Sequence, residues 1–166
     1  MLRVADSGCL SGFYGSWGSE FYGGPEVKAF ESAWSARFNT KFSVSVNSNT
    51  SGLIAALGAI GLSPGDEVIV PPLTMSATVI SPLFYGGIPV FADVNPFTFC
   101  LDIEQVKLKI TKKTKAIIAV NLFGHPAPLD ELRVLCDQYS IFLIEDNAQA
   151  PLAQQCSHFT GTVGDI

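Results

Sequence analysis

Short runs of β-branched and aliphatic residues alternate with helix-like stretches along most of this chain, and that alternation is what most restricts its fold. Glu67–Val70 and residues 88–92, 115–120 and 141–144 read as strands. Between and before them, residues 50–60, a stretch from about Thr74, another from Asp102, and Leu129–Tyr139 read as helices. Strands separated by helices specify βαβ units, so the expected class is α/β, a mostly parallel sheet with helices on both faces. Apolar residues make up 48% of the 166 positions, enough to cover both faces of such a sheet. Upstream, Pro25 is placed to open a helix whose Val27, Phe30, Trp34 and Phe38 recur at spacings of three and four, the pattern of a core face. Residues 42–46 read as a further strand. From Ser7 to Gly24 six glycines are set among serines and aromatic rings, which predicts an irregular arm. Composition alone leaves that arm as a packed surface loop or as a segment reaching a substrate or a second subunit.

The last strand carries the chemistry. Ile141-Phe142-Leu143-Ile144 runs directly into Glu145-Asp146, and because side chains alternate along a strand these two carboxylates face opposite sides of the sheet. Ligands of open α/β sheets gather beyond the carboxyl ends of the strands, so one of the pair is expected to face a ligand. A net charge of −5 argues against a nucleic-acid partner or an anionic membrane surface, which call for a basic stripe. The one dense basic run, residues 107–115, reads as a solvated helix end and turn. Cys9, Cys100, Cys136 and Cys156 are scattered, and neither they nor His125 and His158 fall at metal-ligand spacing, so reduced thiols and no metal are expected. With no apolar run near membrane-spanning length and no signal-peptide core at the start, a cytoplasmic location is expected. At Asn47-Ser48-Asn49-Thr50-Ser51-Gly52 small polar residues lead into a helix, a pattern that suits an anion at the helix start and equally an ordinary Asn or Ser cap.

Several segments in order make a more specific pattern: Asn49-Thr50-Ser51-Gly52-Leu53, residues 65–71, residues 89–94, residues 111–117, Gly124-His125-Pro126 and Ile144-Glu145-Asp146-Asn147-Ala148-Gln149-Ala150. From about Gly24 onward this set resembles the DegT/DnrJ/EryC1/StrS family, sugar aminotransferases that depend on pyridoxal phosphate (PLP) and adopt PLP-dependent transferase fold type I. The resemblance implies that residues 25–166 are the N-terminal part of the PLP-binding large domain, preceded by the arm at 1–24. It implies that Asp146 pairs with the pyridinium nitrogen, Gln149 meets the phenolic oxygen, and Thr50 and Ser51 hold the phosphate. Met75 stands where the family usually stacks an aromatic residue on the ring, and offers apolar contact and a polarizable sulfur instead.

The Schiff-base lysine of the family falls at a position past residue 166, as does the C-terminal small domain. None of the ten basic residues is a convincing substitute, so no catalytic residue is expected within this chain. The expectation is therefore a truncated N-terminal portion of an aminotransferase acting on a nucleotide-linked keto-sugar, with glutamate as donor, in polysaccharide or secondary-metabolite biosynthesis. A homodimer is implied for the complete protein. A PLP- or PMP-dependent sugar dehydratase, with histidine in place of the lysine, is a variant within the class. A catalytically silent remnant or non-enzymatic partner that retains the cofactor cradle is the alternative from another class.

Overall fold

A computed structural model describes residues 1–10, 12, 15, 17–18 and 21–166, and its contacts divide into two compact units, Met1–Ser45 and Val46–Ile166. In the first unit, helix α1 (Leu2–Ser7) ends at Gly8 and helix α2 (Pro25–Phe38) starts on its proline and ends at Asn39, which adopts the left-handed conformation (φ 52°). The stripe on α2 forms, with ring centroids of Phe30 and Trp34 5.6 Å apart and those of Trp34 and Phe38 4.6 Å apart. It is not the core face its spacing predicts. Phe38 is buried, but Phe30 and Trp34 are 55% and 44% exposed, with the three rings packed on one another along the helix.

Residues 42–46 form no strand, which corrects the sequence expectation. Their polar alternate positions are spent on α2: Ser43 Oγ lies 2.8 Å from Ser35 Oγ, and Ser45 donates its amide and hydroxyl to Glu31 Oε1 at 2.7 and 2.8 Å. The other alternate positions, Phe42 and Val44, point to solvent. The expected arm at 7–24 begins inside α1, and Ser11, Phe13, Tyr14, Ser16, Ser19 and Glu20 of it lie outside the described residues.

The second unit is the α/β body. Strands β1 (Glu67–Val70), β2 (Ile88–Phe91), β3 (Thr114–Val120) and β4 (Phe142–Asp146) form one sheet in the order β2-β1-β3-β4, with every pairing parallel. Helices α3 (Asn49–Ala59) and α4 (Ser76–Ile80) and the 3₁₀ turn Ser81–Tyr85 cover one face, where Leu57 packs with Val68, Val70, Ile118 and Ile144. On the other face α5 (Ile103–Lys109) and α6 (Leu129–Tyr139) enclose Ile69, Ile117, Leu132 and Leu143. Alternate residues of one strand thus belong to different cores, as expected for a sheet buried on both sides. Asp102 caps α5 by accepting from the amides of Glu104 and Gln105. After β4 the chain makes a short antiparallel ribbon, β5 (Gln154–Gln155) with β6 (His158–Phe159). It then returns to the open edge of β4, where the Asp165 amide donates to Leu143 O and Glu145 N to Ile166 O.

Leu57 is fully buried on the sheet-facing side of α3, so truncating it to alanine should cost about 2–5 kcal/mol of unfolding free energy, read as a drop in the urea midpoint at constant slope. Burial pushes the Cys136 thiol up to about 12, and thiolate is the reactive form. At pH 8 iodoacetamide should therefore label exposed Cys156 promptly and Cys136 only as the protein unfolds, as peptide mass mapping over time would show.

Candidate functional site

The carboxyl end of β4 places its two acids on opposite faces. Glu145 follows Leu143 toward the α6 layer, and Asp146 follows Ile144 toward α3. Glu145 is 9% exposed and is fully supplied with donors: Oε1 accepts from the amides of Val163 and Gly164, and Oε2 from that of Gly161, all at 2.7 Å, with Asn121 Nδ2 at 3.4 Å. Two glycines make this possible. Gly161 has φ 84°, and a Cβ at Gly164 would stand 2.8 Å from Leu143 O. Asn121, buried at the end of β3, also reaches Asn147 Oδ1 (3.1 Å) and accepts from the Ala127 amide (2.8 Å), while Asn147 donates to Thr160 O (3.0 Å). Glu145 is thus the anchor of the returning loop.

Asp146, 5% exposed, is placed differently. Its Oδ1 accepts from Asn49 Nδ2 at 2.9 Å and its Oδ2 from the Thr78 hydroxyl at 2.7 Å, with the Ala148 amide 3.4 Å from Oδ1. Asn49 is the first residue of α3 and Thr78 lies in α4, so two helices of one layer meet at a single carboxylate. Thr74, one turn before Thr78, places its hydroxyl 2.8 Å from that of Thr78. Each carboxylate oxygen has about two acceptor positions, and Oδ2 retains one.

The other expected site residues lie around the same pole. Thr50 and Ser51 form the first turn of α3, next to Asn49. Its cap is Ser48, whose Oγ accepts from the Ser51 amide (3.2 Å) and lies 3.1 Å from Ser51 Oγ, so the ordinary-cap reading of this motif is realised. A cap satisfies one of the four amides that an α-helix start leaves over, so it is compatible with an anion there. Exposed Met75 directly precedes α4, next to Thr74. Gln149, also exposed, accepts from the Phe123 amide through Oε1 at 3.1 Å, which brings the loops after β3 and β4 together. The Asn49 amide and the Thr78 hydroxyl were not singled out from sequence. Asn49 lay inside a motif read for its neighbours, whereas the four-residue spacing of Thr74 and Thr78 was the available signal for hydroxyls on one helical face.

No lysine of this unit reaches the pole. Lys112, Lys113 and Lys115 lie at the amino end of β3, and Lys107 and Lys109 at the last turn of α5. Val120 is the residue in register with Asp146, which puts Lys115 about 16 Å away along the strand. Among the described residues no group of three or more His, Cys, Asp or Glu side chains is arranged to hold a metal ion, and no helix is long and apolar enough to cross a membrane.

Comparison with known proteins gives a consistent picture. A family model described as the DegT/DnrJ/EryC1/StrS aminotransferase family matches residues 16–166. GDP-perosamine synthase of Vibrio cholerae is 37% identical over 143 residues, 86% of this chain and 39% of that protein. The crystal structure of an aminotransferase from Psychrobacter cryohalolentis, 32% identical, superposes with a TM-score of 0.89 over 98% of this chain and 39% of its own. The E. coli GDP-4-keto-6-deoxy-D-mannose-3-dehydratase structure with bound hydrated PLP, 31% identical, gives 0.86 over 98% and 41%. The chain therefore spans about two-fifths of the length of these relatives, and its fold is that of the N-terminal part of PLP-dependent aminotransferases of fold type I.

Charge-assisted bonds of the kind that Glu145 makes contribute about 1.5–3 kcal/mol each. Glu145→Ala should lower stability by at least about 3 kcal/mol and speed hydrogen exchange at the amides of Gly161, Val163 and Gly164. Glu145→Gln, which keeps one acceptor oxygen, should fall between the two, as residue-resolved exchange would show.

Proposed function

The chain belongs to the DegT/DnrJ/EryC1/StrS aminotransferase family, and we propose that residues 46–166 form the cradle that binds PLP in a sugar aminotransferase. The observation that carries this reading is the junction at Asp146, where a nearly buried carboxylate with an acceptor position to spare adjoins the first turn of an α-helix. One end of that junction suits a cationic ring nitrogen and the other a phosphate. Thr50 and Ser51 hold the phosphate, Gln149 turns its amide to the phenolic oxygen, and Met75 lies against the ring. Seen as a set of donors and acceptors, these residues fit PLP: an anion site, a hydrogen-bonding amide, an apolar contact and a carboxylate.

PLP supplies an electron sink for the carbanion left when a proton leaves the substrate carbon. This chain's part is to keep that sink strong. Asp146 would hold a proton on the ring nitrogen, because a carboxylate beside that nitrogen favours its protonated, cationic form. The lysine that takes up and returns the substrate proton is not among the residues near Asp146 and has to come from outside them.

We further assign the acceptor to a nucleotide-linked keto-sugar and the donor to glutamate, in a cytoplasmic homodimer serving polysaccharide or secondary-metabolite synthesis. Residues 25–166 are the N-terminal part of the large domain in this reading, and the arm at 1–24 contributes to substrate or subunit contact. The similarity to the E. coli dehydratase, close to that of the Psychrobacter aminotransferase, favours a second reading in which the same cradle serves a sugar dehydratase.

The full-length protein loaded with PLP should convert L-glutamate to 2-oxoglutarate in a single turnover, with the change of cofactor absorbance as the measurement. Asp146→Asn should slow that turnover by at least about 100-fold while PLP still binds. A wild-type protein that binds PLP but leaves glutamate unchanged would point to the dehydratase or to a silent protein, and addition of a keto-deoxysugar nucleotide separates those two.

A further inference from the structure

The second set of contacts at Asp146 has a role in the cofactor reading, and the following rests on that reading. We propose that Asn49 and Thr78 are positioning residues that aim the Asp146 carboxylate at the ring nitrogen of the cofactor, with the Thr74 hydroxyl in line behind Thr78. The terminal torsion of an aspartate is broad, so a carboxylate at a strand end turns readily unless donors fix it. Here two donors fix it from different elements: Asn49 Nδ2 holds Oδ1 at 2.9 Å from α3, and the Thr78 hydroxyl holds Oδ2 at 2.7 Å from α4.

Proton counting gives the order of the chain. A hydroxyl has one hydrogen and an ionised carboxylate has none, so Thr78 spends its hydrogen on Asp146. In the 2.8 Å contact between the two threonines, Thr74 is then the donor. The direction is Thr74 to Thr78 to Asp146, each bond polarising the next. One acceptor position of Oδ2 stays open, and with Asn49 and Thr78 in place the carboxylate has one orientation in which to offer it. Thr74 immediately precedes Met75, so the residue proposed to lie against the ring and the residue proposed to pair with its nitrogen are tied by two hydroxyls.

The test compares two ligands on the full-length protein: pyridoxamine phosphate, whose binding requires no covalent bond to a lysine, and its 1-deaza analogue, which has a C–H in place of the ring nitrogen. Wild type should prefer pyridoxamine phosphate by at least about tenfold, as measured by titration calorimetry. Asn49→Ala and Thr78→Val should lose most of that preference while their affinity for the deaza analogue stays near wild type, and Thr78→Ser, which keeps the hydroxyl, should retain it. Asn49 is exposed, so its variant keeps the question answerable if Thr78→Val does not fold. Equal weakening of both ligands, an unchanged preference in the variants, or a lost preference in Thr78→Ser would overturn the proposal. Absence of any preference in wild type would instead overturn the pairing of Asp146 with the ring nitrogen, and this proposal along with it.

Discussion

A carboxylate taken out of water has to be given back its hydrogen-bond donors, and the end of β4 imposes that requirement twice in succession. Glu145 and Asp146 are adjacent, both are buried, and the pleat of the strand sends them to different layers. Each layer answers with its own donors. On the α6 side these are backbone amides, drawn from a loop that has to fold back and keep glycines at Gly161 and Gly164. On the α3 side they are side chains brought in by two helices. The arrangement of the loops at this pole follows from satisfying two neighbouring charges without letting either reach the other's partners.

The two answers differ in kind. Three backbone amides of one loop occupy both oxygens of Glu145, so its charge is spent on architecture. Asp146 is held by fewer and longer-reaching groups and keeps an acceptor position. In the proposed function the chemistry falls to the less completely satisfied of the two neighbouring acids, and the better satisfied one holds the frame.

Much of this was legible in the sequence, for physical reasons that can be named. Strands buried on both faces are written as apolar runs, so β1 was delimited by Glu67 and Val70, and α6 by the strong two-faced pattern from Leu129 to Tyr139. The opposite orientations of Glu145 and Asp146 followed from the period of two. Sequence misled where a pattern was locally sound but had no partner. The rings of α2 have helical spacing, yet Phe30 and Trp34 stay exposed; residues 42–46 alternate like a strand, yet Ser43 and Ser45 give their hydrogen bonds to a helix. Thr78 illustrates a third case. A threonine in an apolar stretch carries no mark of the residue it will meet 68 positions later, because that encounter is decided by how α4 lies on the sheet.

The return of the chain to β4 also has a mechanical consequence. The amide of Glu145 holds the carbonyl of Ile166 while its side chain holds the amides of Gly161, Val163 and Gly164. Tension applied at residue 166 therefore enters the sheet through two residues of β4, Glu145 and Leu143, by bonds that are loaded together rather than in sequence. Together with the Asp165 contacts to Leu143 and the packing of Val163 on the core of the α6 layer, this makes the segment behave as a clasp that bears load as a unit.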